Sequence, residues 1–254
     1  MKANMADNKR LRQERCLHMN LLTTEIRLQY LFILCMILCL GTTSCKNESK
    51  PTQKQSTPTE VVTEATDDIK SDNKVILFYG NSLTAGYGLD EEESFPSQIE
   101  DKIDSLRLKY DVVNAGLSGE TTSGGLKRID WVMKQKVDVF ILELGANDML
   151  RGLPLDQTRK NLSEIISIVK AKNPEIKIGL CEMMAAPNMG EEYVKEFNKI
   201  YKELSVGDDV TFIPFFLEGV IGNESLMLKD GKHPNADGQK IVAKNIWRTL
   251  ENML

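Results

Sequence analysis

From Lys74 onward the sequence alternates short runs rich in β-branched and aromatic residues with longer segments of helical period. The strand-like runs are KVILFYG, YDVVNAG, VDVFILELG, IKIGLCEMM and VTFIPF. The helix-like segments are SFPSQIEDKIDSLRL, LKRIDWVMKQ, LDQTRKNLSEIISIVKAK, EEYVKEFNKIYKELS and ADGQKIVAKNIWRTLENML. This alternation predicts an α/β fold, a mostly parallel sheet with helices on both faces. In such sheets, sites form at the carboxyl ends of the strands.

The first 45 residues have the pattern of a signal peptide. Basic residues precede an apolar run from Tyr30 to Leu40, and small residues follow it as far as Cys45. The run is shorter than the roughly 20 apolar residues that span a bilayer, which disfavours a permanent transmembrane helix. We therefore predict that residues 1–45 direct export, with the start at Met1 or at Met19.

The stretch TTSC at the end of this segment resembles a loose bacterial lipobox, although Thr42 stands where Leu is more usual. The resemblance implies that Cys45 is lipidated and anchors the mature protein to a membrane, facing the periplasm or the cell surface. The alternative is an ordinary signal peptidase cut that leaves a soluble secreted protein. Residues 46–73 are rich in Ser, Thr, Pro, Lys and Glu and are predicted to be a flexible tether; residues 74–254 suit one domain.

Charge and cysteine usage exclude several function classes. Residues 46–254 carry 26 Lys and Arg against 34 Asp and Glu, a net charge of −8. A segment with this much negative charge binds polyphosphates poorly. Nucleic acid is therefore disfavoured as a partner. Four of the five cysteines fall within the first 45 residues, so the domain has no disulfide framework.

The first predicted strand is followed by the glycine-rich turn GNSLTAGYG, which contains Ser82. This turn does not match any of three known motifs. A Walker A loop requires Gly-Lys-Ser/Thr, but Tyr87 follows Gly86; the glycines do not fit GxGxxG; and Leu83 and Thr84 after the serine exclude the GxSxG elbow. Phosphate binding is thus disfavoured, and Ser82 is a candidate nucleophile or a small residue that lets the chain turn.

Of the two histidines, His18 lies in the predicted signal peptide, so His233 is the only imidazole in the domain. A serine nucleophile needs a base that is neutral near pH 7, which is usually His. Asp230 precedes His233 by three residues in KDGKHPNADG, which is close enough for its carboxylate to orient the imidazole ring. An Asp-Gly turn beside a surface histidine is an equal alternative. Hydrolytic zinc sites use two or three imidazoles, so a metal site is disfavoured.

Two further turns contain donors suited to an oxyanion. NAGLSGETT supplies Gly119, whose backbone N–H no side chain blocks, and ELGANDML supplies Asn147, an amide donor. Each turn by itself also fits a structural role, since Asn and Asp in turns most often cap the local backbone.

Taken together, these residues resemble the SGNH, or GDSL, hydrolase family. GNSLTAGYG, SGET, GANDMLRG and DGKHPN resemble its blocks in family order. VVNAGLSGETTSGGLKRI, ELGANDMLRGL and FIPFFLEGV are most similar to bacterial periplasmic esterases that act on acyl-CoA thioesters, lysophospholipids and aryl esters. The resemblance implies a three-layer flavodoxin-like fold with five parallel strands in the order 2-1-3-4-5.

The resemblance also assigns roles. It implies Ser82 as the nucleophile, Asp230 and His233 as its partners, and an oxyanion hole of the Ser82 N–H, the Gly119 N–H and the Asn147 side chain. It implies no metal and no organic cofactor. One departure is Asn81, where the family usually has Asp, which puts an electrostatic role for that position in doubt.

The predicted function is therefore hydrolysis of esters or thioesters of small lipid-like acyl compounds. Alternatives are a carbohydrate O-acetylesterase with the same machinery and a non-catalytic binding lipoprotein. Residues flanking the predicted site are expected to form an acyl pocket, because methionine adapts to flexible chains, although each of them also fits a core position. They are Met149, Leu150, Leu153, Pro154, Met183, Met184, Ala185 and Pro187.

Overall fold

The computed structural model describes residues 72–207 and 209–254. The predicted signal peptide, the lipidation site at Cys45 and nearly all of the predicted tether lie outside these residues. Within the two ranges, every helix is too short or too polar to cross a membrane.

Five strands form one parallel sheet. They are β1 (Lys74–Gly80), β2 (Tyr110–Asn114), β3 (Val139–Glu143), β4 (Lys177–Cys181) and β5 (Val210–Ile213). Their order in the sheet is β2-β1-β3-β4-β5, which confirms the predicted fold class and strand order. Every residue of β3 is buried, as expected for a strand in the middle of a sheet covered on both faces.

In the part of the chain that the structure describes, seven α-helices connect and follow the strands. They are α1 (Ser82–Ala85), α2 (Phe95–Ser105), α3 (Thr122–Val132), α4 (Ala146–Leu150), α5 (Leu155–Lys172), α6 (Glu191–Leu204) and α7 (Ala236–Leu250). Short 3₁₀ helices occupy Glu91–Glu93, Pro187–Met189, Glu224–Leu226 and Glu251–Met253. Helix α2 packs against α7, and α5 packs against both α3 and α6.

The last helix is joined to the start of the domain by one buried side chain. Gln239 of α7 accepts a hydrogen bond from the Phe95 backbone N–H (3.1 Å) and donates one to the Leu83 carbonyl (3.3 Å). Since Leu83 belongs to the turn after β1, these bonds tie the carboxyl-terminal helix to the segment that carries Ser82.

Helix α3 begins four residues earlier than its apolar pattern indicates. Thr121 caps it by accepting a hydrogen bond from the Gly124 N–H. The two glycines of this first turn, which argue against a helix by propensity, are needed for packing: a Cβ on Gly125 would lie 2.5 Å from Leu144 Cδ1. Close approach of the helix to the end of β3 therefore outweighs the local propensity.

Candidate active site

Ser82 lies at the first position of α1, directly after β1. Asn81 caps this short helix, and its Oδ1 accepts a hydrogen bond from the Leu83 N–H at 3.0 Å. Gly86 ends the helix in the left-handed conformation, with φ 68°. The chain thus makes a sharp strand-to-helix turn that presents the Ser82 hydroxyl at the carboxyl edge of the sheet.

The structure brings Ser82, His233 and Asp230 into one hydrogen-bonded chain. Ser82 Oγ lies 2.8 Å from His233 Nε2, and His233 Nδ1 lies 2.6 Å from Asp230 Oδ2. Hydrogen bonds, the largest from His233, lower the pKa of Asp230 to about 2, so this carboxylate is ionised and only accepts. In a neutral imidazole Nδ1 therefore carries the proton, and Nε2 is free to accept the Ser82 hydroxyl proton.

The loop that carries His233 is held in place by hydrogen bonds within the loop. Asp230 Oδ1 accepts from the backbone N–H groups of Lys232 (2.9 Å) and His233 (3.1 Å). The His233 carbonyl accepts from the Leu228 N–H at 2.7 Å. The Tyr87 ring lies against the imidazole, with 4.5 Å between the ring centroids. Position and orientation of the ring are thus set from both sides.

Donors without an acceptor in the described part of the chain include the backbone N–H groups of Ser82 and Gly119. Asn147 on α4 uses one hydrogen of its side-chain amide on the Glu120 carbonyl, at 3.0 Å, which leaves the other available. Glu120 is itself held by Arg128 at 2.5 Å. These contacts orient the Asn147 amide before any substrate arrives, which is what stabilisation of a developing oxyanion requires.

Gly119 is required for its backbone conformation rather than for space. Its φ is +80°, which side-chain-bearing residues rarely adopt, whereas a Cβ there would meet nothing closer than Arg151 Nη2 at 3.8 Å. Arg151 Nη2 also donates to the Gly119 carbonyl at 2.8 Å, which fixes this peptide group. The positive φ thus gives a conformational reason for glycine at position 119.

Ser82, Gly119, Asn147 and His233 line one cavity of about 250 Å³. Leu150 also lines it; the remaining seven residues of the expected acyl pocket do not. Met149, Met183 and Ala185 are buried in the core, and Leu153 is partly buried, whereas Met184, Pro187 and Pro154 are exposed.

Three residues that the sequence did not single out belong to the site. Tyr87 and Lys232 line the cavity, and Glu143 is buried beneath the Ser82 turn. Tyr87 lies within GNSLTAGYG and Lys232 within DGKHPN, so their places in these blocks could have indicated them. Glu143 is an acid at the end of an otherwise apolar strand, a pattern that suggests a buried charge with a partner. Within residues 72–207 and 209–254, no cluster of three or more His, Cys, Asp or Glu side chains could hold a metal ion.

The fold and this cluster of side chains define a class of protein, the three-layer α/β hydrolases that carry a serine after the first strand. More narrowly, the chain belongs to the GDSL-like lipase/acylhydrolase family, whose model matches residues 78–241. It is therefore an enzyme that hydrolyses ester bonds and has a small-molecule ester as its substrate.

Named relatives agree with this assignment. The chain is 33% identical over 182 residues to "Esterase TesA" of Pseudomonas aeruginosa, covering 71% of this chain and 90% of that protein. It is 37% identical over 180 residues to "Thioesterase 1/protease 1/lysophospholipase L1" of Escherichia coli K12, covering 70% and 84%. A crystal structure of the psychrotrophic esterase EstA from Pseudoalteromonas sp., inhibited by monoethylphosphonate, matches with a TM-score of 0.67 and 31% identity, covering 71% and 98%.

Proposed function

We propose that the protein hydrolyses esters or thioesters of small lipid-like acyl compounds, with Ser82 as the nucleophile, His233 as the general base and Asp230 as the group that orients His233. The observation that carries the proposal is the hydrogen-bonded chain from Ser82 Oγ through His233 to Asp230, with separations of 2.8 Å and 2.6 Å. Such a chain places a proton acceptor within reach of the hydroxyl and keeps the acceptor in the required tautomer.

In the first step Ser82 Oγ attacks the substrate carbonyl carbon while its proton passes to His233 Nε2. The carbonyl oxygen gains the negative charge and accepts hydrogen bonds from the Ser82 and Gly119 N–H groups and the Asn147 amide. When the intermediate collapses, His233 returns the proton to the departing alcohol or thiol, which leaves an acyl-Ser82 ester. Water, deprotonated by His233, then attacks this ester, releases the carboxylic acid and restores the serine.

Both the relatives and the cavity support a small acyl substrate. The names of the relatives include an esterase and a thioesterase/lysophospholipase. The cavity has more apolar than polar surface, and Leu83, Leu150 and Ala146 lie on its wall beside the polar groups. A wall of this kind suits a short hydrocarbon chain, with the carbonyl held at the polar end. We place the acyl chain against Leu150.

Replacement of Ser82 by Ala tests the nucleophile. With a chromogenic short-chain ester we expect loss of turnover by a factor of roughly a thousand or more, since the covalent pathway is removed. A phosphonate of the type that inhibits EstA should add one phosphonyl group to Ser82 in the wild-type protein, detected by peptide mass, and none in the Ala variant. Wild-type turnover in Ser82→Ala would refute the mechanism.

The substrate class is tested on the purified domain with a panel of aryl esters, acyl-CoA thioesters, lysophospholipids and acetylated sugars. We expect kcat/KM for the acyl esters or thioesters to exceed that for acetylated sugars. The opposite order would identify the carbohydrate O-acetylesterase weighed above.

We also propose that the protein is exported and anchored through lipid on Cys45, on the basis of the residues before it. Full-length protein should fractionate with membranes, and Cys45→Ser should move it to the soluble fraction or retain the uncleaved precursor. A Cys45→Ser protein that is cleaved after its signal segment and still associates with membranes as the wild type does would contradict lipidation.

A further inference from the structure

A carboxyl group lies fully buried beneath the turn that carries Ser82. Glu143 is the last residue of β3 and is 1% exposed. The neighbouring strand leaves room for it only because residue 80 is glycine: a Cβ on Gly80 would overlap Thr84 Oγ1 and lie 2.5 Å from Glu143 Oε2. Gly80 on β1 therefore leaves the space in which the Glu143 carboxyl group packs against the Ser82 turn.

Within the described residues, the hydrogen bonds that the Glu143 carboxylate accepts come from donors in the Ser82 turn. Oε1 accepts from the Asn81 side-chain Nδ2 at 2.6 Å. Oε2 accepts from the Asn81 backbone N–H at 3.1 Å and from the Thr84 hydroxyl at 2.8 Å. Three donors converge on two oxygens, and an ionised carboxylate can accept from all three. Glu143 thus holds both Asn81 and Thr84, the residues on either side of Ser82 and Leu83.

The Asn81 side chain links this carboxylate to the backbone at Ser82. Its Nδ2 donates to Glu143, while its Oδ1 accepts from the Leu83 N–H at 3.0 Å and lies 3.4 Å from Ser82 Oγ. The opposite orientation of the amide would direct its NH₂ group at the Leu83 N–H and its oxygen at the carboxylate, so chemistry fixes the orientation. An amide satisfies both neighbours at once, whereas a carboxylate does so only with an added proton.

No cation within the described ranges is paired with Glu143. The titratable groups that face it from other elements are the Cys181 thiol on β4 and the Tyr201 hydroxyl on α6, and burial raises the pKa of both, which leaves them neutral. Burial likewise raises the pKa of Glu143 to about 7, and the donors from Thr84 and Asn81 oppose this rise. The carboxylate is therefore stabilised chiefly by the Ser82 turn.

We propose that Glu143 and Asn81 form a positioning pair, in which the buried carboxylate accepts the Asn81 amide and so holds the Ser82 turn in its reactive geometry. The proposal rests on the proposed role of Ser82 as the nucleophile. Asp, which is usual in the family at position 81, would face Glu143 across 2.6 Å and would need a proton shared between the two carboxyl groups. Asn81 gives the same link without that proton.

Reversal of the hydrogen bond tests the pair. In Glu143→Gln an NH₂ group replaces Oε1 and faces the Asn81 NH₂ group, so the link is lost. In the double variant Asn81→Asp/Glu143→Gln, the carboxylate at position 81 still accepts from Leu83 N–H and now accepts from the amide at position 143. The amide oxygen at position 143 still serves the backbone N–H of residue 81 and the Thr84 hydroxyl. The link is restored with opposite polarity.

For Glu143→Gln we expect kcat on a chromogenic ester, and the rate of phosphonylation of Ser82, to fall about tenfold or more, with KM changed less than about twofold. The double variant should recover most of both rates. Asn81→Asp alone should be active near neutral pH but lose activity at alkaline pH, where the shared proton leaves, while the wild type does not. Glu182→Gln is the matched control, since Glu182 is also buried after a strand but accepts from the Phe215 N–H, and its rates should be unchanged.

A double variant that folds, by circular dichroism, yet is no faster than Glu143→Gln would overturn the proposal, as would wild-type kcat in Glu143→Gln. If Glu143→Gln does not fold, the double variant decides alone: rates near wild type support the pair, and low rates contradict it. Absence of any Ser82 adduct in the wild type is a separate result that removes the nucleophile assignment itself.

Discussion

The buried carboxyl group of Glu143 makes the stability of the protein depend on pH in a direction that can be calculated. Its pKa is about 7 in the folded protein against an ordinary value of 4.5. The folded state therefore binds the proton more tightly than the unfolded chain does. The contribution of Glu143 to the free energy of unfolding is therefore greatest below pH 4.5, falls as the pH rises from 4.5 to about 7, and is constant above that range.

The size of this effect follows from the same two values. Each pKa unit is worth about 1.4 kcal/mol, so the separation between 4.5 and about 7 corresponds to roughly 3 kcal/mol. Glu143→Gln removes the titration and leaves all others in place. The free energy of unfolding of the variant minus that of the wild type should thus rise by roughly 3 kcal/mol between about pH 4.5 and pH 8.

Urea unfolding curves of both proteins, recorded at half-unit pH intervals, measure this difference. The lost acceptor for Asn81 adds a constant penalty of about 1–3 kcal/mol to the variant but no pH dependence, so the slope isolates Glu143. A difference that stays flat within about 1 kcal/mol, or that falls with rising pH, would refute a raised pKa at Glu143.

Two further changes address the proposed base and the acyl wall. Asp230→Asn should lower kcat by roughly ten-thousandfold with little change in KM, because an amide no longer holds the Nδ1–H tautomer of His233. Equal kcat at all pH values would contradict the orienting role. Leu150→Ala should alter the preference among acyl chain lengths, whereas Met184→Ala, which does not line the cavity, should leave it unchanged; the reverse result would place the acyl chain along the segment after β4.

The strands and their order were predictable because β-branched runs and the family blocks carry that information directly. Ser82 and His233, the two ends of the candidate site, were also singled out by the sequence, since a serine in a glycine-bracketed turn and the only histidine of residues 74–254 are rare features. Their contact was implied only by the family resemblance and not by spacing, because residues 151 positions apart meet only through the tertiary fold.

The expected acyl pocket shows that proximity in sequence does not predict which way a side chain points. Met149 and Leu150 are adjacent on α4, but Met149 is 7% exposed and Leu150 is 57% exposed. Successive helical residues point about 100° apart, so one turns into the core while the other reaches the cavity. Proximity to Asn147 in sequence does not determine which of them meets substrate. Glu143 was missed for a related reason, since its partners belong to another strand and the turn after it.

The buried Gln239 has a consequence for the order in which the active site assembles during folding. Asp230 and His233 belong to one short loop before α7, while Ser82 follows β1, and Gln239 bridges α7 to Phe95 and Leu83. The hydrogen bond between Asp230 and His233 needs only the loop, but contact with Ser82 needs the last helix to be seated. Recovery of esterase activity during refolding should therefore follow the docking of α7 onto the Ser82 turn.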